Sequence, residues 1–261
     1  MTGWAYMKLR VLGCSGGIGG ELSTTSFMLD DHILIDCGTG IGNLSLGEMK
    51  KIRSIFFTHS HLDHIAGLPL LVDSIFDTLR DKPLEVYGNQ ETISALQTHI
   101  FNNAIWPDFT VIPSIESPVL KFHVLETGKQ YKINGCTLEL IPVNHVVPTV
   151  GYRIECDDSS IAFSADTTTN DSLWARLNEY PSLDYLIIEC AFPNKEKDIC
   201  RLAYHYCPDF LSKDLPKLKH DSKILISHLK PGSEDLIMAE CQNLITDRDI
   251  KRLEGNQEIE I

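Results

Sequence analysis

The stretch 58–64, Thr-His-Ser-His-Leu-Asp-His, follows an apolar run that predicts a buried strand. Four side chains with metal-binding atoms stand here within six residues, and burying them without partners would cost several kcal/mol each. Alternate residues of an extended segment point to the same side, so His59 and His61 can bind one ion. Asp63 and His64, where the chain turns into a helix, can reach a second ion. The stretch therefore predicts a dinuclear metal site, and a histidine-rich surface loop is the weaker alternative.

The spacing His-x-His-x-Asp-His resembles the signature of the metallo-β-lactamase superfamily. This resemblance implies three more ligands on later loops: a histidine, an aspartate that bridges both metals, and a final histidine. The candidates in chain order are His145, Asp166 and His228, each at the end of an apolar β-type run. A lone histidine is more often structural. His145 and His228 are selected only because each follows a strand-like run and stands in the expected order along the chain. The resemblance thus implies one metal site formed by His59, His61, His145 and Asp166, and a second formed by Asp63, His64, Asp166 and His228.

Length and charge restrict the class of protein. The chain has 261 residues, of which 43% are hydrophobic, so a large packed core is available. The formal net charge is −13, and there is no long basic run or basic-aromatic interleaving of the kind that binds a nucleic-acid backbone. We therefore expect no nucleic-acid partner, although two metal ions could make a cleft locally positive.

The beginning of the chain and the cysteines suggest the compartment. Residues 1–10 contain no signal-peptide pattern, and no segment approaches 18 uncharged apolar residues. We therefore expect a soluble, cytoplasmic protein that does not bind a membrane. The eight cysteines form no C-x-x-C pair, and we expect all of them to be free thiols.

Hydrophobic periodicity predicts strands in both halves of the chain, with helices between and after them. The predicted strands cover 7–12, 25–29, 32–35, 54–57, 84–87, 137–143, 150–155, 160–164, 185–188 and 223–226. The predicted helices cover 64–79, 90–101, 170–179, 208–215 and 233–246, with Asn89 and Ser233 as N-caps. This pattern alone indicates an α/β or α+β fold. The resemblance implies more: a single domain over 1–261 that forms a four-layer αββα sandwich.

Three other features bear on the site. Asp36 lies in Asp-Cys-Gly, and members of the superfamily carry an Asp-x-Gly here whose carboxylate orients the metal-binding histidines. An ordinary turn is the alternative. The glycine-rich loop 13–20 fits neither phosphate-binding motif, so a flexible turn is at least as plausible. Trp106 and Phe109 could stack on a base, but aromatic residues in an apolar stretch belong more often to a core or subunit interface.

Additional segments make the chain similar to bacterial class II type 3′,5′-cyclic-nucleotide phosphodiesterases. These segments are 64–74, 105–109, 187–192, 204–215 and 228–232. The resemblance implies hydrolysis of cAMP or cGMP to the 5′-monophosphate, with hydroxide made available by two metal ions. The predicted catalytic residues are Asp63, Glu189 and His205. His205 would protonate the leaving 3′-oxygen and Glu189 would orient it, as a Glu–His pair does in ribonuclease Z enzymes.

Two other functions remain open. A ribonuclease Z-like nuclease acting on RNA 3′ ends would share the ligands and the Glu–His pair, but the acidic composition disfavours it. A non-catalytic metal or nucleotide sensor is the alternative from another class. Nitrogen and oxygen ligands without thiolate admit zinc, manganese or iron, and zinc is our first choice for both ions. The sequence leaves open whether the chain forms a homodimer.

Overall fold

The computed structural model describes residues 7–133, 135–156 and 159–260, in which strands and short helices alternate. The strands are β1 Lys8–Gly13, β2 Ser26–Leu29, β3 Ile33–Ile35, β4 Ser54–Phe56, β5 Leu84–Gly88, β6 Pro113–Ser114, β7 Ser117–Pro118, β8 Leu120–Val124, β9 Gln130–Ile133, β10 Cys136–Val143, β11 Thr149–Cys156, β12 Ser159–Phe163, β13 Tyr185–Glu189, β14 Lys223–Ser227, β15 Ile250–Arg252 and β16 Glu258–Glu260. The α-helices are α1 Leu46–Met49, α2 Leu62–Ile65, α3 Gly67–Ser74, α4 Phe76–Leu79, α5 Gln90–Ala95, α6 Ser172–Leu177, α7 Lys197–Leu202, α8 Pro208–Asp214 and α9 Glu234–Leu244. A π-helical turn, Leu96–Ile100, continues α5.

Fourteen of these strands form two seven-stranded sheets. The first sheet has the order β16-β1-β2-β3-β4-β5-β8, and the second has the order β15-β14-β13-β12-β11-β10-β9. In each sheet, four consecutive strands are parallel: β3, β4, β5 and β8 in the first, and β12, β13, β14 and β15 in the second. The remaining neighbours are antiparallel. The short pair β6–β7 stands apart.

Three apolar clusters divide the molecule into four layers. The central cluster joins side chains of both sheets, such as Phe27 and Phe163, whose rings meet edge to face at 4.9 Å. The second cluster packs the outer face of the first sheet against helices that include α3, which contributes Leu68 and Leu71. The third packs the outer face of the second sheet against α6, α8 and α9. This arrangement confirms the predicted four-layer αββα sandwich.

Alternation along β4 shows why its sequence is a continuous apolar run. Phe56 faces the central cluster, whereas Ile55 and Phe57 face the outer cluster under the helices. A strand covered on both faces has no polar side, so it loses the alternating pattern of a half-exposed strand. Polar residues return only where the strand ends, and the metal-binding stretch 58–64 begins there.

The two sheets are joined at this same edge by hydrogen bonds. The Tyr152 hydroxyl on β11 donates to the Phe57 carbonyl at 2.7 Å, and the Val150 amide donates to the Thr58 carbonyl at 3.0 Å. Both acceptors lie directly before His59. The position of the first histidine therefore depends on both sheets.

The predicted elements recur with a few differences. The helix expected over 64–79 is divided among α2, α3 and α4. The first break precedes Pro69, which has no amide hydrogen for the Ile65 carbonyl. The Gly67 amide donates instead to the Cys37 carbonyl at 2.7 Å. Asn89 caps α5 through the Thr92 amide, but Ser233 makes no side-chain cap bond. The edge strands β8, β9, β15 and β16 were not predicted. Apolar and polar residues alternate in β8 and β9, but these strands are only five and four residues long, and β15 and β16 have three residues each. The single domain over 1–261 stays a prediction, and residues 1–6 and 261 lie outside the described ranges.

The cysteine prediction was wrong for two residues. Cys136 and Cys156 form a disulfide, and the other six cysteines are free and buried. The two half-cystines are direct partners in the β10–β11 register, with Cα atoms 4.4 Å apart. Sequence spacing did not reveal this pair, because it depends on how the two strands are aligned. Within the described residues, no helix is long and apolar enough to cross a bilayer.

We expect Tyr152→Phe to lower the free energy of unfolding by about 1 kcal/mol, because the Phe57 carbonyl would lose its buried donor. Urea unfolding followed by circular dichroism measures this change. Tyr185→Phe is the control, since both hydrogen bonds of that hydroxyl, to the Glu260 carbonyl at 3.4 Å and from Lys223 Nζ at 2.9 Å, are exposed to solvent. An equal loss in both variants would contradict the importance of the inter-sheet bond.

Candidate functional site

All seven predicted metal ligands converge at one edge of the sandwich. They form two groups whose ligand atoms lie within 4.8 Å of one another in each group. The groups are His59, His61, His145 and Asp166, and Asp63, His64, Asp166 and His228. These are the two sets that the sequence resemblance implies. Their role as metal ligands stays a prediction, and the geometry shows how well they fit it.

Asp166 lies between the two groups. Its Oδ2 is 3.7 Å from His59 Nε2 and 3.3 Å from His64 Nε2, and its Oδ1 is 3.3 Å from His228 Nδ1. Asp63 Oδ2 lies 3.8 Å from both His64 Nε2 and His228 Nε2. Opposed ligand atoms at these separations can surround a common ion, so Asp166 is placed to bridge two sites.

Unsatisfied nitrogen atoms indicate that the groups fit metal ions. Three buried imidazole nitrogens have no hydrogen-bond partner among the described residues: His59 Nε2, His64 Nε2 and His228 Nδ1. In addition, His61 Nδ1 lies 3.2 Å from His145 Nε2, which places two potential ligand atoms side by side. Buried polar atoms in proteins are normally satisfied. Divalent ions between these atoms would satisfy them together.

Burial keeps most of these imidazoles neutral, which is the form that binds metal. It lowers the pKa of His145 to about 4 and that of His228 to about 3, and it holds the pKa of His59 well below its usual value. Burial also lowers the pKa of His61. Neutral imidazole is the ligating form, so these four histidines need not lose a proton at neutral pH.

His64 and Asp166 form the charged centre of the cluster. Burial opposes the charged form of His64, but Asp166 and Asp36 outweigh it, and the pKa of His64 lies well above its usual value. Burial likewise opposes the carboxylate of Asp166, but the neighbouring His228, His64 and His59 hold its pKa well below the usual range. The carboxylate is therefore ionised and attracts cations.

Asp36 orients two of the histidines. Its Oδ2 accepts from His64 Nδ1 at 2.7 Å and from the Thr58 hydroxyl at 2.8 Å, and its Oδ1 accepts from the Thr58 amide at 2.8 Å. Thr58 Oγ1 in turn lies 3.0 Å from His59 Nδ1. These bonds occupy both Nδ1 atoms and leave both Nε2 atoms for a metal. The turn containing Asp36 thus has the orienting geometry expected from the resemblance.

The chain enters the site through residues with left-handed backbone. Asp36, Ala165, Tyr204 and His228 have φ values of 57°, 56°, 55° and 60°. Residues other than glycine rarely adopt the left-handed region of φ and ψ, and backbone strain of this kind occurs mostly at functional sites. Ala165 adopts this conformation directly before the predicted bridging ligand Asp166.

The glycine-rich loop supports the His228 segment. A Cβ on Gly16 would lie 2.6 Å from the His228 carbonyl oxygen, so only glycine permits this approach. The Gly16 amide donates to the Leu229 carbonyl at 3.0 Å, and Lys230 Nζ donates to the Gly16 carbonyl at 2.8 Å. The loop is therefore a packing partner of a predicted ligand, and no described contact indicates a phosphate cradle.

Glu189 and His205 form a buried pair beside the metal groups. Glu189 Oε1 lies 2.7 Å from His205 Nδ1. The His205 ring lies 5.0 Å from that of His145 and 5.3 Å from that of His228, measured between centroids. Burial raises the pKa of Glu189. Burial disfavours protonated His205, but Glu189 outweighs this effect and raises the pKa of His205. With Nδ1 occupied, Nε2 is the atom available to a substrate.

Two contacts at the site were not predicted from the sequence. Thr58 links Asp36 to His59, and Tyr204 accepts a hydrogen bond at its carbonyl from His145 Nδ1 at 3.0 Å. Thr58 belongs to the quoted stretch and Tyr204 to the segment 204–215 that carries the resemblance, but neither contact was predicted. Trp106 and Phe109 pack in the outer core of the first sheet, away from the ligand groups. Their interpretation as core residues is the one the structure supports.

The fold has close counterparts among solved structures. Unliganded yeast PDE1 superposes with a TM-score of 0.85 at 21% identity, covering 98% of this chain and 99% of that one. The metallo-β-lactamase fold protein YhfI of Bacillus subtilis superposes with a TM-score of 0.77 at 19% identity, covering 97% and 98%. The chain therefore has the metallo-β-lactamase fold.

Sequence comparison narrows this class. Residues 7–242 match the family described as Anti-Pycsar protein Apyc1, and the chain belongs to that family. A probable 3′,5′-cyclic-nucleotide phosphodiesterase of Yersinia pestis is 28% identical over 223 residues, which cover 74% of this chain and 63% of the relative. The chain thus spans a little under two thirds of that relative's length.

We expect the wild-type protein to bind two equivalents of zinc per chain and Asp166→Ala to lose most of both, because it removes the one carboxylate that both sites share. Elemental analysis after zinc loading and gel filtration measures the content. Bound metal should also raise the melting temperature of the wild type, because it binds only the folded state. Asp171→Ala is the control, since that carboxylate is 88% exposed and pairs with Lys217. Folded wild type with no bound metal would refute the assignment.

Proposed function

We propose that the protein is a dinuclear metal-dependent phosphodiesterase that hydrolyses 3′,5′-cyclic nucleotides to 5′-monophosphates. The observation that carries this proposal is the placement of the Glu189–His205 pair against both metal groups. Two divalent ions, zinc by preference, would neutralise the phosphodiester and activate water. The proposed ligands are the seven converging side chains described above.

His205 is suited to donate a proton to the leaving group. The ribose 3′-oxygen is a poor leaving group, and a positioned acid assists its departure by about 10²–10⁴-fold. Because Nδ1 is held by Glu189, a proton on Nε2 would face the space between His145 and His228. Glu189 also accepts from the Thr167 and Ala191 amides at 2.9 and 3.0 Å, so it is fixed in place.

Asp63 is the most exposed member of its ligand group. Its side chain is 30% exposed, whereas those of His64, Asp166 and His228 are buried. It therefore lies at the mouth of the site, where substrate and water enter. This position supports a role for Asp63 in the reaction as well as in metal binding.

Ribonuclease activity is the second candidate, because relatives with that name also match. A ribonuclease Z of Mycobacterium sp. is 28% identical over 193 residues, which cover 66% of this chain and 65% of the relative. Phosphate contacts dominate RNA affinity, and a chain with a net charge of −13 offers few of them. We therefore favour a small cyclic nucleotide as the substrate.

We expect zinc- or manganese-loaded protein to convert 3′,5′-cAMP and 3′,5′-cGMP to 5′-monophosphates, with no 3′-monophosphate, as resolved by liquid chromatography. A 5′-monophosphate forms only if water adds to phosphorus and the bond from phosphorus to the 3′-oxygen breaks, and that oxygen is the one that His205 would protonate. A 2′,3′-cyclic nucleotide and a tRNA precursor complete the panel. Cleavage of the tRNA precursor without turnover of either cyclic purine nucleotide would favour the ribonuclease. No turnover of any substrate by metal-loaded protein would favour a sensor.

His205→Ala should lower kcat on cAMP by about 10²–10⁴-fold while metal content stays at the wild-type level. The loss on bis-p-nitrophenyl phosphate should be far smaller, because p-nitrophenolate leaves without a proton. Steady-state kinetics measure kcat on both substrates, and metal analysis of each sample measures the metal content.

Two variants control this experiment. Glu189→Gln should give a milder form of the same pattern, since it disturbs the orientation of His205 without removing it. His99→Ala should behave as wild type, because His99 is an exposed histidine on the π-helical turn Leu96–Ile100. Equal losses on both substrates in His205→Ala would assign His205 to holding the site or the phosphate.

A further inference from the structure

A cavity of about 350 Å³ opens beside the predicted metal site. Its walls are Asn144, Thr168, Thr169, Arg201, Tyr204 and Phe210. Ligand sites for small molecules begin at about 300 Å³, so this space suits one small group. None of these six residues is a predicted metal ligand or proton donor. The cavity therefore has no assigned role.

Two of the residues that line the cavity directly precede residues of the predicted site in the sequence. Asn144 precedes His145, and Tyr204 precedes His205. Consecutive Cα atoms are about 3.8 Å apart, so the cavity begins next to both. The Tyr204 carbonyl also accepts from His145 Nδ1 at 3.0 Å, which fixes the cavity wall to a predicted ligand.

The chemistry of the walls matches a nucleobase. Tyr204 is 42% exposed and offers an aromatic face, and Phe210 adds a second ring. Arg201 lies over the Phe210 ring, with Cζ 5.5 Å from the centroid, and supplies positive charge for an anionic nucleotide. Asn144 Nδ2 donates to the Thr169 carbonyl at 3.0 Å, so this amide is held at the rim. The cavity therefore offers aromatic rings on which a base can stack and polar groups that can bind the edge of the base.

The direction of the substrate favours the same cavity. In a 3′,5′-cyclic nucleotide, the ribose carries both ester oxygens, so the sugar and base extend from the phosphate on the side of the leaving oxygen. His205 is the proposed donor to that oxygen, and Tyr204 lies next to it. A phosphate between the two metal groups would therefore direct its base towards Tyr204.

A competing cavity is less suitable. It has about 270 Å³ and borders Leu229, the residue after His228. Its walls contain the carboxylates of Glu21, Glu234 and Glu254 but only one cation, Arg252. An anionic nucleotide would be repelled there, and no aromatic side chain is available for stacking.

We propose that the cavity walled by Asn144, Thr168, Thr169, Arg201, Tyr204 and Phe210 binds the nucleobase of the substrate, with Tyr204 as its stacking platform. This assignment rests on the proposed cyclic-nucleotide phosphodiesterase activity. It makes Tyr204 a binding residue whose ring contributes to KM, while its carbonyl holds His145.

The test compares substrates with and without a base. Tyr204→Ala should raise KM for 3′,5′-cAMP by about 10- to 100-fold. The change in kcat/KM for the abasic 3′,5′-cyclic phosphate of ribose should be far smaller, because this ester has no base to stack. Tyr204→Phe should retain the wild-type KM. Tyr204→Asn, which tolerates the left-handed backbone, gives a second variant without the aromatic ring.

Two matched variants locate the effect. Leu202→Ala alters a side chain on the same segment that is 78% exposed and does not line the cavity, and it should behave as wild type. Phe192→Ala removes the other aromatic ring near His205, 5.7 Å away on centroids. A selective rise in KM for cAMP in Phe192→Ala, with none in Tyr204→Ala, would place the base on that side and overturn the proposal.

Equilibrium binding separates this proposal from the activity on which it rests. Tyr204→Ala should weaken binding of 5′-AMP by a similar factor and leave binding of ribose 5-phosphate unchanged, as measured by calorimetry. If wild type hydrolyses no cyclic nucleotide, the phosphodiesterase proposal fails, while selective loss of 5′-AMP affinity still supports the base site. Equal losses with and without a base, or no loss with either, refute the base site.

Discussion

The attraction between the buried Asp166 carboxylate and the imidazoles around it is the interaction on which the site depends. An ionised carboxylate in a nearly water-free position is unfavourable unless positive charge or hydrogen-bond donors surround it. Here, His59 approaches it from the end of β4, His64 from α2 and His228 from the end of β14. The fold therefore places imidazole nitrogens around an anionic centre, which is the arrangement that the predicted binding of divalent ions needs.

The sandwich supplies the rigidity that this arrangement needs. The predicted ligands follow the ends of buried strands or, for Asp63 and His64, lie in the helix after such a strand. The two sheets are joined at this edge by Tyr152 and Val150. Left-handed residues such as Asp36 and His228 then turn the chain sharply into the cleft. Strained backbone persists only where the surroundings fix it, and here packed sheets fix it on both sides.

The proton-donor region is built on a similar principle with a different outcome. Glu189 holds His205 through Nδ1, just as Asp36 holds His64 through Nδ1. His64 then points its free nitrogen at Asp166, whereas His205 lies beside the metal groups without joining either. The same carboxylate–imidazole contact thus orients a ligand in one place and a proposed acid in the other. Tyr204 connects the two regions, because its carbonyl binds His145 and its ring faces the proposed base cavity.

The sequence by itself determined the motif 59–64 and most strands, because these follow from local spacing and from apolar runs that need burial on both faces. It implied the order of the later ligands only through the resemblance to a family. It also suggested the roles of Asp36 and of the Glu189–His205 pair, but only through resemblance. The Cys136–Cys156 bond, the link from Thr58 to His59, the support of His228 by Gly16 and the cavity beside Tyr204 were decided by tertiary structure. Strand register and sheet order bring these residues together from distant parts of the chain, and local periodicity carries no information about which distant strand ends will meet.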